Sequence, residues 1–338
     1  MEVFVKNFAT FRTIKKAALI DGFWVIDSLD SEVSSVSVMG TEINSEDVGN
    51  WLIVKDLVYS ISEVHPSGNS TNLTLKHPLD VFSRPVLFSK QASTQTLGGF
   101  ASSILLSNWR DCDDSVYAIP YLRVSNLDTT AFVEPELNDG GCFSLPEYCR
   151  LMRKSYRLKL RFLNAGDFLL CEISNDPDVA HNVSFSDGRS TLDSATYGAA
   201  GYAKLSVLHD INTKEKDTDG NDIYIRETST WYLLEDGSVS QLASGRRVSG
   251  KWGVLHLKDC PNIAEKVIEE FSKNKTGHKV EFRSALDLPV NSNCKFAING
   301  KIIQSHISYK RKDSKNVWFY YKAGELATTI TEKLKGVL

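Results

Sequence analysis

Over residues 49–85 the order of apolar and polar positions is that of strands and turns. Trp51-Leu52-Ile53-Val54 is a short apolar run. Residues 58–64, VYSISEV, are rich in β-branched and aromatic side chains. Leu73-Thr74-Leu75-Lys76 alternates apolar and polar with period two. Side chains of these types favour a pleated, half-buried surface, and a period of two collects the apolar set on one face. His65-Pro66-Ser67-Gly68-Asn69-Ser70 is turn chemistry, since proline and glycine punctuate and Asn and Ser bond back to their own backbone. The pattern predicts an antiparallel hairpin with one buried face. Pro78 removes a ladder donor and ends it. A sheet of this kind, closed into a small barrel, is the expected first unit.

Upstream, residues 2–6, 12–20, 23–26 and 33–39 are strand candidates, with Asp21-Gly22 as a tight turn; residues 28–35 read either way. From Ser93 the period lengthens. Leu97, Ala101, Ile104 and Leu105 have helical spacing and predict a helix over 94–108, although Gly98-Gly99 weakens it. Residues 116–124 return to strand character, and Asn138-Asp139-Gly140-Gly141 is a loop. Ser144-Leu145-Pro146-Glu147 is a capping box with proline in the first turn. The helix it opens has Leu145, Tyr148, Leu151, Met152 and Tyr156 on one face. Strands over 159–163 and 168–173, joined by Asn164-Ala165-Gly166-Asp167, complete a small α+β unit.

After Pro177 the chain reads as almost wholly β. Strands are expected over 183–185, 203–208, 223–234 and 252–257. A helix over 262–275, opened by Asp259-Cys260-Pro261-Asn262, carries Ile263, Val267, Ile268 and Phe271. Strands over 279–282, 295–298, 302–309 and 317–321 follow, with Asn299-Gly300 as a hairpin turn. A C-terminal helix over 324–337 is apolar at Leu326, Ile330, Leu334 and Val337. The expected fold is mainly β with helical insertions (α+β). Two small antiparallel β-barrels, over 1–88 and 179–338, flank an α+β module over 89–178.

Composition narrows the function classes. A chain of 338 residues has room for two or three cores. Its formal net charge of −3 offers no basic excess to neutralise phosphates, so nucleic-acid binding is not expected. No apolar run nears the roughly 18 residues that span a bilayer, so no membrane segment is expected, and the N-terminus lacks the basic-then-apolar layout of a signal peptide. The cysteines Cys112, Cys142, Cys149, Cys171, Cys260 and Cys294 form no CxxC pair and read as reduced thiols. The glycosylation sequons at Asn69, Asn72, Asn182 and Asn274 then carry no weight. The expected place of synthesis is a reducing cytoplasm.

No motif selects a chemistry. Gly245-Arg246-Arg247-Val248-Ser249-Gly250-Lys251 has the spacing of a phosphate loop, but Trp252 stands where Ser or Thr is needed and a strand follows where a helix N-terminus is needed. Asp217-Thr218-Asp219-Gly220-Asn221-Asp222 has the carboxylate density of a calcium loop. With Gly220 as sixth residue, however, the twelfth position is Arg226 and not Glu. The histidines His65, His77, His181, His209, His256, His278 and His306 show no metal-ligand spacing, and His256 and His306 read as half-buried packing residues. No nucleophile elbow surrounds a serine. Nothing selects a working carboxylate pair from Asp113-Asp114 or Glu269-Glu270. Trp231, Tyr232, Trp318, Phe319, Tyr320 and Tyr321 fall in strand patterns, so packing is favoured over sugar stacking. The expectation is therefore no enzyme, and no catalytic, cofactor-binding or metal-binding residue.

The order of these pieces resembles the hub proteins at the end of phage tails, the family of the baseplate hub of contractile tails and the tail-associated hub of long non-contractile tails. Residues 49–64, then Leu73-Thr74-Leu75-Lys76 and Pro78-Leu79-Asp80-Val81-Phe82-Ser83-Arg84-Pro85, are similar to the end of the family's first barrel. Residues 96–106 and 145–156 with the following hairpin resemble its middle module. Val183-Ser184-Phe185-Ser186 up to Tyr202-Ala203-Lys204-Leu205 looks like its passage into a second barrel. Residues 263–271, 280–282 and 295–298 resemble its late helix and final strands. The resemblance implies a structural virion protein at the tail tip or baseplate. It would be a homotrimer whose six barrels join a sixfold tail tube to threefold parts below. Its implied partners are the tube or distal tail protein and spike, fibre or tape-measure proteins. Relatives often add a C-terminal receptor-binding or peptidoglycan-cutting module. With the chain ending at Leu338, such activity is expected of another protein. The rival reading is a carbohydrate-binding or cell-wall-hydrolysing tail protein; a cellular injection-device hub shares the implied fold.

Overall fold

A computed structural model of the chain describes residues 1–82, 85–87, 96–106, 109–110, 116–117, 119–130, 142–177, 179–198, 202–216, 218, 220, 222–234, 236, 238–242, 251–273 and 277–324. The chain is mainly β and divides into two compact units. The first comprises Met1–Ser190, Arg283–Asn293 and Ile307–Tyr321; the second comprises Thr191–Phe282, Cys294–His306 and Lys322–Leu338. The expected loop at Asn138-Asp139-Gly140-Gly141, the Gly245 to Gly250 stretch of the phosphate-loop motif, Asp113-Asp114 and the C-terminal helix after Gly324 lie outside the described residues.

The first unit is built on a closed barrel of six antiparallel strands: β1 (Glu2–Lys6), β2 (Thr13–Ser28), β3 (Ser34–Met39), β4 (Trp51–Val54), β5 (Leu57–Ser67) and β6 (Ser70–Lys76). The ring closes in the order β1-β2-β3-β6-β5-β4 and back to β1. Closure leaves no unpaired edge among its neighbours. The period-two positions fill its interior: Val3, Val5, Val36, Val38, Leu52, Val54, Tyr59, Ile61, Leu73 and Leu75 form one buried cluster with Trp24.

The alternate set on β4 and β5 is equally apolar, which is why Trp51-Leu52-Ile53-Val54 reads as a run and not as an alternation. Trp51, Ile53 and Val58 belong to a second core. That core includes helix α1 (Leu97–Leu106), helix α2 (Leu145–Tyr156) and the strands Leu158–Ala165 and Phe168–Asn175. One barrel wall is therefore buried on both faces. The Trp51 indole, 0% exposed, donates to the Tyr121 hydroxyl at 2.8 Å, so its polar edge is satisfied inside the core.

Local signals decide most element ends. Ser144 caps α2, with its hydroxyl accepting from the Glu147 N–H at 3.4 Å and the Glu147 carboxylate accepting from the Ser144 N–H at 3.2 Å. Four local expectations need correction. Asp21-Gly22 does not turn: β2 runs unbroken through it. Gly22 has φ of 117°, and a Cβ there would lie 2.3 Å from the Ser35 carbonyl oxygen, so the glycine lets β3 approach at a register shift between Leu19 and Asp21. The turn expected over residues 65–70 narrows to Gly68-Asn69, with Ser67 paired to Ser70. The strand expected over 116–124 divides into Val116–Tyr117 and Leu122–Asn126, with Pro120, which has no N–H to give, between them. Gly98, expected to weaken α1, is instead where the helix meets the sheet. Its N–H donates to Asp128 at 2.7 Å, and a Cβ would lie 2.4 Å from Asn126 and 2.8 Å from Ile173.

In the second unit the strand Tyr202–Lys216 lies between Asp222–Leu233, antiparallel, and Lys251–Lys258, parallel. Helix α3 (Ile263–Lys273) sets Val267 and Phe271 against Leu205, Val207 and Leu233. Asn299 and Gly300, at φ of 50° and 74°, make the expected hairpin turn between Asn293–Ile298 and Lys301–Asp313.

Candidate functional site

Among the described residues, the densest set of buried charge in the first unit joins α2 to the end of β2. Arg153 sits one helical turn after buried Cys149, on the face that packs, so its guanidinium is carried inward. It donates to Asp27 at 2.6 and 2.9 Å, to Asp176 at 2.9 Å and to the Ser28 carbonyl at 2.8 Å. The Lys159 ammonium lies 2.8 Å from Asp27 and 3.7 Å from Asp176. The Asp176 side chain is 0% exposed and that of Asp27 12%. Burial alone would raise the Asp27 pKa. Arg153 and Lys159 outweigh it and hold the carboxyl well below the usual carboxylate range. Burial would likewise lower Arg153, and Asp27 and Asp176 reverse it.

His77 lies near this cluster on the chain after β6. Its Nδ1 accepts from the Leu79 N–H at 3.2 Å, and its ring meets Phe162 edge-on at 5.5 Å. Burial lowers its pKa to about 4, against the opposing pull of Asp80 and Asp27. The Cys149 thiol is pushed up by burial.

Asp27, Arg153, His77 and the Cys149 thiol are each driven away from titration near neutral pH. A carboxylate fixed by two cations is a poor general base, and a buried, raised thiol is a poor nucleophile. The arrangement can tie a helix to a barrel; it offers no proton in transit. Among the described residues no group of three or more His, Cys, Asp or Glu side chains is placed to hold a metal ion.

The residues singled out in the sequence are dispersed. His256 and His306 are half-buried in strands; burial lowers His256 to about 4, and Arg226 adds to this. Of the acidic stretch, Asp217, Asp219 and Asn221 lie outside the described residues. Trp231 packs against the α3 core, while Tyr232 faces Lys204. Tyr321 is fully buried, its hydroxyl accepting from the Leu288 N–H at 3.0 Å and donating to the Leu286 carbonyl at 2.7 Å. Phe319 stands 6.2 Å from Tyr321. The sequence reading missed the Arg153 cluster. The one available signal was a charged residue four positions after Cys149, inside the helix's apolar face.

No protein-family model matches the chain, and no curated protein sequence does. Among solved structures, the chain is similar to prophage tail protein gp18 from Listeria monocytogenes EGD-e, at 9% identity and a TM-score of 0.51 over 100% of this chain and 98% of that one. It aligns also with a chain of the phage P2 virion baseplate, at 14% identity and a TM-score of 0.45 over 96% and 98%. A tail protein from Neisseria meningitidis MC58 aligns at 7% identity and a TM-score of 0.46 over 96% of each chain. The first is at the level of a shared fold, and it shows fold alone. The chain has the fold of a phage tail protein, mainly β with a closed barrel and helical insertions.

Proposed function

We propose that the chain is a structural virion protein, a tail or baseplate hub. As a homotrimer it adapts a sixfold tail tube to threefold tip, spike or fibre components. The observation that supports this most is the end-to-end fold match to a tail protein, together with a barrel closed by strand pairing within residues 1–88. In this reading the chain divides into a first barrel over 1–88, an α+β module over 89–178 and a second barrel over 179–338. Three copies then present six near-equivalent barrels, which is how a threefold object can meet a sixfold one. The partners are the tail tube or distal tail protein on one side and spike, fibre or tape-measure proteins on the other. The place of action is the tail tip. The work is done by surfaces, and the chain needs no cofactor.

The test is mass. Purified chain examined by light scattering and native mass spectrometry should give a trimer, and a density map of tails assembled with it should place three copies at one end of the tube. A chain that stays monomeric at every concentration and is absent from assembled tails overturns the reading. Incubation with peptidoglycan should release no soluble fragments; turnover would return the rival hydrolase reading.

A further inference from the structure

A groove of about 570 Å³ opens on the first unit, with Trp24 and Tyr59 in its lining. This is within the roughly 300–1,000 Å³ common to ligand sites. One wall is the strand Leu158–Ala165. That strand pairs along its whole length with Phe168–Asn175 but meets β5 only where Leu163 stands opposite Leu57. Among the described residues its other edge is therefore open from Leu158 to Phe162, about 16 Å at a rise of ~3.3 Å per residue.

The charges around the groove fall into two classes. Lys159 is paired with Asp27, Arg161 with Asp56 and Lys310 with Asp287. Lys55 and Lys312 have no such partner among the described residues. Lys55 lies over the Trp24 ring at 6.0 Å, and Lys312 is the cross-strand neighbour of Trp24. Lys312 donates to the Trp318 carbonyl at 3.3 Å and to that of Val317. Its pKa is held down by burial and by the like charge of Lys55. Two cations thus face one space, one of them partly desolvated, and neither is tied up in an ion pair among the described residues.

We infer that this groove receives an extended acidic segment of a partner protein, which adds as a strand along the open edge from Leu158 to Phe162 and sets its carboxylates against Lys55 and Lys312. Main-chain pairing supplies the affinity and the lysines the choice of side chain. The occupant is a peptide and not a nucleic acid because Asp27, Asp56 and Asp287 line the same groove. A phosphate at every nucleotide would meet them. A strand instead turns its acidic residues to the lysines at every second position.

The test uses the full chain and a fluorescein-labelled hexapeptide of alternating glutamate and threonine, followed by fluorescence anisotropy. Binding is expected, weakening as salt rises. The double charge reversal Lys55→Glu and Lys312→Glu should weaken it by at least about tenfold, about 1.4 kcal/mol, with the folded circular-dichroism spectrum retained. Should that variant fail to fold, the Arg161→Glu variant, at an exposed side chain, is expected to give a smaller loss. The inference is overturned if the glutamate peptide does not bind, if a glutamine-for-glutamate peptide binds as tightly, or if a single-stranded oligonucleotide of equal length binds more tightly.

Discussion

Replacing Arg153 by Met removes the cation that Asp27 and Asp176 share. Asp176 is fully enclosed and Asp27 nearly so. Lys159 remains, but at 3.7 Å from Asp176 it does not replace the lost hydrogen bonds. Breaking a buried ion cluster by removing one partner costs about 3–5 kcal/mol, because the remaining charge is left uncompensated. In a unit of roughly 200 residues each kcal/mol lowers the melting temperature by about 2–4 °C, so the expected fall is on the order of 10 °C. The assay is thermal and denaturant unfolding followed by circular dichroism, repeated from about pH 7 down to about pH 5. The sign of the pH effect is diagnostic. With Arg153 present, Asp27 is held ionised, and its contribution to stability is lost only as pH falls below the ordinary carboxylate pKa near 4. Without Arg153, burial prevails and the carboxyl titrates upward. The folded state then takes up protons first, and the gap between variant and wild type narrows as pH falls. Adding Asp27→Asn and Asp176→Asn to Arg153→Met should restore about half of the loss. A cost below about 1 kcal/mol, typical of a surface pair, or a gap that widens on acidification, would refute a buried tie between α2 and the barrel.

Ile53→Ala should cost about 2–5 kcal/mol by denaturant unfolding, since β4 is buried on both faces; a change below about 1 kcal/mol would mean that the wall is not shared. Gly22→Ala should destabilise by about 1–3 kcal/mol, because its Cβ would fall on the Ser35 carbonyl and its φ is positive; an unchanged denaturation midpoint would show that β3 does not approach so closely. His77 has a folded pKa of about 4 against about 6.5 unfolded. Its contribution is fully present above about pH 6.5 and is lost as pH falls toward 4, by at most about 3 kcal/mol. His77→Gln should flatten that part of the stability curve and leave the loss below pH 4; a curve of unchanged shape would count against a buried neutral His77.

The barrel was legible in the sequence because its residues obey one rule at a time. Val3 and Val5, and Leu73 and Leu75, repeat with period two, while Leu52 and Val54 sit in a short apolar run, and the closed interior is the sum of those pairs. Ser144-Leu145-Pro146-Glu147 was legible for the same reason, since a capping box is complete within four residues. Asp21-Gly22 was misread because the same dipeptide serves a turn and a bulge. Which one forms depends on whether another strand, here β3, needs the space that a missing Cβ leaves. The strand Ser190–Gly198 gave no signal at all: its residues Ser190-Thr191-Leu192-Asp193-Ser194-Ala195-Thr196-Tyr197 carry almost no apolar alternation, and most lie open to solvent.

The Arg153 cluster was illegible for a different reason, and that reason bears on what the chain does. Asp27 lies more than a hundred residues before Arg153, Lys159 and Asp176, and no spacing rule links a strand end, a helix face and a strand exit. A catalytic site assembled from distant residues is equally hidden, so illegibility alone does not separate tie from active site. Protonation does. A working acid or base needs a pKa near the operating pH, whereas burial and ion pairing here drive Asp27 down, Arg153 up and the Cys149 thiol up, all away from it. Buried charge of this kind is weak as a source of net stability, because desolvation cancels most of the attraction. Its geometry is nonetheless specific: one planar guanidinium reaches two carboxylates and a carbonyl, and a shift of α2 by one residue would break several bonds together. Such a tie fixes where the helical insertion sits on the barrel. If the chain is the structural tail protein proposed above, holding that position matters more than adding stability.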